Sequence, residues 1–367
     1  MGISAQSICK SFDSQPVLKD VSMDIQDGAF VTLLGATGAG KTTFLRILCG
    51  ITRPDTGRIL YDNTDVTRVP VQKRNVAMVY QEFVNYPSFS IYENIASPLR
   101  VSKTTLTAVE IDHRVRQTAE LLGLSAVLDH YPEEVSGGQK QRTAIARALA
   151  KDTKFIFLDE PLANLDYKLR EELRGELKTI LGHKGGVVVY ATPESVDALS
   201  MSTHVAYFES GELLQYGLLE EVYRRPQQVE VGAYFSYPTM NIMQARTVQD
   251  QGRTFLQVSD QIRIDATSFA QRLQEQEYLV GIRAYNLHTH THRTDMIPFQ
   301  TTIELSEELG SDTELHLSHA GMQFVMLEQE VVRYPLGTTL TIFLDPNRLF
   351  IFSAKTRGLV LKTFDEK

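Results

Sequence analysis

The run Gly35-Ala36-Thr37-Gly38-Ala39-Gly40-Lys41-Thr42 holds the chemistry most easily read from this chain. It satisfies G-x-x-x-x-G-K-[ST] at every fixed position. Its glycines let the backbone approach an anion, and the loop amides with a following helix N-terminus present positive partial charge to phosphate oxygens. Lys41 is expected to reach the β- and γ-phosphates of a nucleotide. The Thr42 hydroxyl is expected to ligate Mg²⁺, with Thr43 next in line. The apolar run Phe155-Ile156-Phe157-Leu158 ends in two carboxylates, Asp159 and Glu160. Asp159 is expected to hold the Mg²⁺ shell at the carboxyl end of a strand. Glu160 is the candidate general base for an attacking water. A strand ending in Asp-Glu is weak evidence alone and strong evidence beside the phosphate loop.

These residues need a scaffold, and the first part of the chain offers one. Phe30–Leu34 reads as a strand feeding the Gly-rich turn, and Thr42–Leu48 as a helix. Val76–Tyr80, Phe155–Leu158 and Val187–Tyr190 read as short buried strands. Tyr167–Leu181 reads as a helix with mixed charges on one face, where Arg170, Glu171, Glu172 and Arg174 are expected to make i,i+4 pairs. Strands alternating with helices imply a largely parallel α/β sheet. The stretch 88–150 has no convincing strand and reads as mostly helical. The pattern changes after Phe235, where Ser236-Tyr237-Pro238 breaks the chain. Thr301–Leu305, Glu314–Leu317, Phe324–Leu327 and Thr339–Leu344 then alternate with period two between turn signals, as in a small β-barrel. There is no internal repeat and no low-complexity tract.

Composition bounds the function. The chain has 367 residues, enough for two or three domains. It is 43% hydrophobic and 22% charged, the balance of a soluble globular protein. A net charge of -8 argues against a dedicated nucleic-acid binder. No apolar run is long enough to span a bilayer, and the N-terminus lacks the pattern of a secretory signal. Cys9 and Cys49 form no disulfide framework, which points to a reducing compartment; both are expected to be small buried residues.

The run Val135-Ser136-Gly137-Gly138-Gln139-Lys140-Gln141-Arg142 identifies the family. It resembles the L-S-G-G-Q signature of ABC ATPases, with Val135 as a mild departure, and precedes Asp159 in the order that family shows. Ser136 and its two glycines open an apolar-periodic helix, Gln139–Leu149, so its amides point at an anion. The resemblance implies that this anion is the γ-phosphate of ATP on another subunit, in a head-to-tail dimer sharing two sites. It implies that Phe12 stacks on adenine, that Gln81 contacts Mg²⁺ and senses a membrane partner, and that Asp166 works across the dimer interface.

Within that family, Gln81–Ile95, Pro161–Asp166, Met240-Asn241 and Val280–Arg283 look like ATPases of carbohydrate and polyol importers, including the maltose importer ATPase. The resemblance then implies a P-loop ABC ATPase domain over residues 1–235, with its helical subdomain at about 88–150. An OB-like β-barrel regulatory domain follows over residues 236–367. It implies ATP and Mg²⁺ as cofactors, peripheral attachment to the cytoplasmic face of the inner membrane, and transmembrane permease subunits as partners. A solute-binding protein would reach it through the permease. Phe83, Tyr86, Phe89 and Tyr92 would line the groove for a permease coupling helix. The resemblance implies a carbohydrate or a small polyol such as glycerol as the solute class, and the sequence does not name which. Two other readings compete: a structural subunit that clamps ATP with little hydrolysis, and a soluble ABC protein acting on nucleic acid or ribosomes. Members of that second class usually carry two cassettes or long coiled coils, and this chain has neither.

One position departs. After Val187–Tyr190 the family reads T-H-D, and the histidine contacts the γ-phosphate and the attacking water. This chain reads Ala191-Thr192-Pro193-Glu194. Proline there fits a helix start, with Thr192 expected as N-cap, Pro193 at the first helical position and Glu194 in the first turn. The fold is expected to survive and the chemistry to suffer. The implied assembly pairs this subunit with a different ATPase subunit, which would borrow the intact Ser136–Gln139 signature. His288, His290 and His292 alternate and on a strand would share a face able to bind a metal, but a solvated loop or an exposed strand is the favoured reading.

Overall fold

The computed structural model describes residues 2–82, 84–101, 106–151, 153–163, 165–182 and 185–364. The chain divides into two compact units, 1–219 and 220–367.

The first unit opens with strands β1 (Ile3–Phe12) and β2 (Gln15–Ile25), followed by β3 (Phe30–Leu34), α1 (Lys41–Cys49), β4 (Thr56–Tyr61), β5 (Thr64–Asp65) and β6 (Val76–Val79). Helices α2 (Ile91–Arg100), α3 (Ala108–Leu121) and α4 (Gly137–Ala150) come next. The unit continues through β7 (Phe155–Asp159), α5 (Tyr167–Gly182), β8 (Val187–Thr192), α6 (Ser195–Met201), β9 (His204–Glu209) and β10 (Glu212–Leu218). β10, β9, β3, β8, β7 and β6 form one sheet in that order, and all its pairings are parallel except β10 on β9. β2, β1, β4 and β5 form a separate antiparallel sheet.

Strands β3, β7 and β8 are buried at every residue, which is why they read as continuous apolar runs rather than alternating ones. Their side chains separate two cores. Val31, Leu33, Phe157 and Val189 face Phe44, Leu45 and Leu48 of α1. Ile156, Leu158, Val188 and Tyr190 face Ile91, Ile95, Val115 and Ile145 of the helical region. Each helix of that region starts on a reciprocal capping box: Ser90 with Glu93, Thr107 with Glu110, and Ser136 with Gln139. An N-cap is worth about 1 kcal/mol, so three marginal helices receive firm starting points.

The second unit begins with α7 (Leu219–Arg224) and α8 (Val229–Tyr234). Strands β11 (Met240–Asp250), β12 (Arg253–Gln257), β13 (Arg263–Asp265), β14 (Glu277–Arg283), β15 (Leu287–His288) and β16 (Ile297–Glu308) follow. The last are β17 (Thr313–His319), β18 (Met322–Glu328), β19 (Thr339–Leu344), β20 (Leu349–Ser353) and β21 (Leu359–Lys362). Two antiparallel sheets, β13-β12-β11-β14-β20-β21 and β15-β19-β16-β17-β18, share a core that includes Met243, Val280, Phe299, Leu315, Phe324 and Ile351. The four stretches expected as strands from period-two alternation lie in β16 to β19, and β17 alternates buried and half-buried along its whole length. Compactness breaks at Leu219, before the Ser236-Tyr237-Pro238 segment. Val229 is buried with Met240, Leu279, Phe350 and Phe352, so α8 belongs to the second unit's packing.

Candidate nucleotide site

The phosphate loop joins the buried strand β3 to α1, and two of its glycines are forced by close backbone approach. Gly35 has φ of 146°, and a Cβ there would lie 2.2 Å from the Phe208 carbonyl oxygen. Gly40 has φ of 103°, and its Cβ would meet Leu18 and the Val17 carbonyl at 2.9 Å. No larger residue fits either place. Gly40 caps α1 without any side-chain hydrogen bond, so the first-turn amides of the helix stay available to an anion. Ala36, Thr37 and Gly38 are exposed along the loop, Ala39 is buried, and Thr42 and Thr43 are half-buried.

Lys41 is 3% exposed, and its Nζ donates to the carbonyl oxygens of Gly35 at 2.7 Å and Ala36 at 2.9 Å. Burial lowers its pKa, while Glu160 and Asp159 oppose that shift. The Thr42 hydroxyl donates to Asp159 Oδ1 at 2.8 Å. Asp159 is fully buried, and burial raises its carboxyl against the pull of Thr42, Arg46 and Lys41. Its Oδ2 accepts no hydrogen bond and lies 3.6 Å from Arg46 Nη2. A buried carboxylate oxygen beside a hydroxyl and below a phosphate loop is a donor set that fits a hard divalent cation.

Glu160 sits one residue beyond β7 with φ of 44°. That left-handed backbone costs a non-glycine residue about 1–2 kcal/mol. Its amide is tied to the Ala191 carbonyl at the end of β8 at 2.9 Å, which fixes the turn. Burial raises its carboxyl, Lys41 pulls it back, and Asp159 and Glu194 push it further up. Gln81, after β6, donates from Nε2 to Glu160 Oε2 at 3.0 Å. Lys41, Thr42, Gln81, Asp159 and Glu160 therefore meet at the carboxyl ends of parallel strands, where such sheets bind ligands.

The other expected site residues stand apart from this group in their hydrogen bonding. Phe12 ends β1 with its ring about half exposed and the Lys10 ammonium 5.2 Å from its centroid. Ser136 Oγ accepts from the Gln139 amide at 3.3 Å, and Gln139 Oε1 accepts from the Ser136 amide at 2.9 Å, so both side chains serve the cap of α4. Gly137 has open space where a side chain would be, whereas a Cβ on Gly138 would lie 2.3 Å from Leu169 Cδ2. Asp166 Oδ1 accepts from the Leu169 amide at 3.0 Å and starts α5. Phe83 lies outside the described residues. Tyr86 and Phe89 are exposed and meet edge-on at 5.4 Å, and the Arg147 guanidinium lies 4.3 Å above Tyr86. Tyr92 packs on the helical core and donates its hydroxyl to Asp112.

Three expectations need correction. Thr192 does not cap a helix: it is the last residue of β8, and α6 begins at Ser195 with Glu194 as its cap. The Thr192 hydroxyl instead accepts from the Glu194 amide and donates to Asp197, so Pro193 sits in a tight turn between strand and helix. Arg174 does not join a surface i,i+4 pair. It turns inward, pairs with Glu171 at i,i+3, and donates to the buried Asp197 at 2.9 Å, while Arg170 reaches Glu194. Tyr190 completes this network on Asp197 Oδ2 at 2.9 Å. Cys49 is buried as expected, but Cys9 is only partly so. The alternating histidines need no correction, since they fall largely in a loop as favoured: only His288 lies in β15, and its ring meets that of His292 edge-on at 4.7 Å.

Sequence reading missed Arg46, which lies between the signals of loop and strand, and Asp197, whose three partners converge from α5 and β8.

Comparisons with known proteins agree with this geometry. A family profile described as ABC transporter matches residues 18–163. The chain is 34% identical over 369 residues to the trehalose/maltose import ATP-binding protein of Thermococcus litoralis, covering 97% of this chain and 98% of that protein. It is 32% identical over 351 residues to the sn-glycerol-3-phosphate import ATP-binding protein of Yersinia pestis, covering 95% and 96%. Among solved structures, a dimeric ATP-binding cassette in a post-hydrolysis state with ADP and phosphate superposes with a TM-score of 0.54 at 27% identity, over 59% of this chain and 98% of that one.

Proposed function

The chain belongs to the ATP-binding proteins of ABC transporters, ATPases whose turnover is coupled to transport, and on that premise we propose that it powers the import of a carbohydrate or a small polyol. One observation carries the reading: the loop lysine, two strand-end acids and Gln81 converge on a single cleft. The relatives import trehalose and maltose or sn-glycerol 3-phosphate, which supports this solute class. Among the described residues no helix is long and apolar enough to cross a membrane. The solute path therefore belongs to permease subunits, with this chain bound peripherally at their cytoplasmic side and a solute-binding protein delivering from outside. A cleft of about 350 Å³ is lined by Tyr80, Val84, Tyr86, Pro98 and Arg147; of the aromatics assigned to a coupling-helix groove, Tyr86 lines it, and Phe89 and Tyr92 do not.

In this mechanism ATP lays its phosphates on the loop amides, and Lys41 leaves the Gly35 and Ala36 carbonyls to meet them. Thr42 and Asp159 would hold Mg²⁺, whose charge neutralises the oxygens of the transferring phosphoryl group. Glu160 takes a proton from the attacking water, and its raised pKa brings it closer to the working pH of a general base. Gln81 holds Glu160 in place until the phosphate arrives. Ser136 with the open amide at Gly137 serves the ATP of a second subunit, and Asp166 lies at that junction. Phe12 offers its exposed ring to adenine.

Pro193 supplies neither a side-chain donor nor an N–H where the family places its histidine. A lost transition-state contact of this kind costs about 10²–10³ in rate. A homodimer would own two impaired sites. We therefore favour pairing with a different ATPase subunit, giving one complete site that uses this chain's signature. A second reading, an ATP clamp with little hydrolysis of its own, rests on the same proline. Purification of the assembly from membranes tests both, by identifying the co-purifying chains. A permease with a second, histidine-bearing ATPase supports the pairing; a symmetric dimer of this chain alone that drives transport at full rate overturns it.

A further inference from the structure

The second unit contains an open pocket of about 700 Å³, within the range of small-molecule sites. Its lining is basic. Arg224, Arg283, Arg293, Arg348 and Lys362 contribute to the wall, and among the described residues no aspartate or glutamate does. Arg224 is paired with Glu220 and Arg293 with Asp295, both from outside the lining.

Arg283, at the end of β14, makes this more than a charged surface. It is 5% exposed and has no ion-pair partner among the described residues. One guanidinium nitrogen donates to the Tyr223 carbonyl at 2.7 Å and another to the Tyr285 hydroxyl at 3.1 Å. The group lies flat on the Tyr223 ring at 3.7 Å, with Phe350 on another side at 5.3 Å. Its buried Nε has no hydrogen-bond partner. Burying a guanidinium among aromatic rings with no carboxylate is costly, and an orphaned N–H adds to the cost. An incoming anion relieves both. The rigid planar fork suits phosphate, whose oxygens accept two parallel N–H bonds. Arg348, exposed at the rim, and Lys362 add charge to meet a dianion. Asn286 in the same wall suits the hydroxyls of a sugar or polyol body, as does the carbonyl oxygen of Asn347, whose amide nitrogen donates to Asp295; the aromatic faces suit its C–H surface.

We propose that this pocket is a binding site for a small phosphorylated metabolite, held through its phosphate by Arg283, Arg348 and Lys362. The site is independent of the nucleotide cleft, since every residue that lines it lies in the second unit.

The test uses the full chain saturated with ADP and Mg²⁺, so that the phosphate loop is occupied and its own binding is measured first. Calorimetric titrations with glucose 6-phosphate, inorganic phosphate and glucose follow. Glucose 6-phosphate is expected to bind and glucose is not. The rim variant Arg348→Ala/Lys362→Ala, which leaves the buried packing intact, is expected to weaken glucose 6-phosphate at least tenfold, and Arg283→Gln to abolish it. If inorganic phosphate binds as tightly as glucose 6-phosphate and is lost in the same variants, the phosphate site stands with the free anion as its ligand. Absence of binding by both phosphates to the ADP-loaded chain overturns the proposal. So does unchanged affinity in the rim variant.

Discussion

Gln81 reaches Glu160 across the ends of β6 and β7, with 3.0 Å between amide nitrogen and carboxylate oxygen. The proposed base is thus held before any substrate arrives. Glu160→Gln keeps the shape but cannot take a proton, so ATP turnover should fall by about 10²–10⁴ while ATP affinity stays within a few fold. The pH profile supplies a second check. Burial lifts the Glu160 carboxyl above the ordinary 4.5, so the acid limb of the wild-type rate should lie above that value. An acid limb at or below the ordinary value would remove Glu160 from this role.

Asp159 illustrates a site that costs stability. Its folded pKa is raised above the ordinary 3.8, so the folded state binds the proton more tightly than the unfolded state. Stability from this group is therefore full below the unfolded value and falls as pH rises through the folded one. At neutral pH the apo protein carries the penalty. Asp159→Asn should raise the melting temperature of the nucleotide-free chain by a few degrees and erase the further gain that wild type shows with Mg²⁺ and ATP. Scanning fluorimetry with and without Mg²⁺-ATP would decide; a lowered apo melting temperature contradicts the argument.

The two signature glycines should separate in mutagenesis. Gly137→Asp enters open space and keeps the monomer folded, but puts a negative charge where a partner's γ-phosphate would approach. ATP-driven association with the second ATPase subunit should vanish, with the melting temperature of this chain unchanged. Gly138→Asp must push aside the Leu169 methyl group 2.3 Å from its Cβ, so its melting temperature should lie at or below that of Gly137→Asp. Size-exclusion chromatography in ATP, run beside thermal melts, distinguishes the two. A Gly137→Asp chain that associates normally with that subunit refutes the shared site.

Pro193→His should raise turnover by ten-fold or more if the missing donor limits the rate. The turn that carries residue 193 is held by Thr192 and the buried Asp197, so the substitution leaves the local fold intact. Steady-state ATPase rates of the two proteins at saturating ATP settle the matter, and equal rates would mean that Glu160 suffices.

The unit boundary predicts a difference between truncations. A chain ending at 219 should stay soluble and bind ATP. One ending at 235 leaves Val229, Val231 and Phe235, all buried in the full chain, without the β-sheet unit they pack with, and should aggregate. Equal solubility of the two would contradict the assignment of α8.

What could be read in advance followed how local the cause was. The phosphate loop is one contiguous stretch whose backbone needs are written in its glycines. The signature is likewise contiguous, and its Ser136–Gln139 box is a four-residue pattern. The turn at Pro193 was misjudged because Thr192 ends β8 and its hydroxyl is shared between the Glu194 amide and the buried Asp197. Arg174 was misjudged for the same reason: its burial depends on a carboxylate that tertiary packing brings from the far side of β8. The basic pocket could not be read at all, because residues from α7, β14 and the last strand meet there only once both sheets have formed.

The resting position of Lys41 bears on how tightly nucleotide can be held. Its ammonium already spends two donors on the carbonyls of its own loop. Arrival of a triphosphate is therefore an exchange of partners and not the capture of an idle charge, and the observed affinity measures only the difference between phosphate and peptide oxygen. Such a cradle folds around its own cation and keeps its shape when empty.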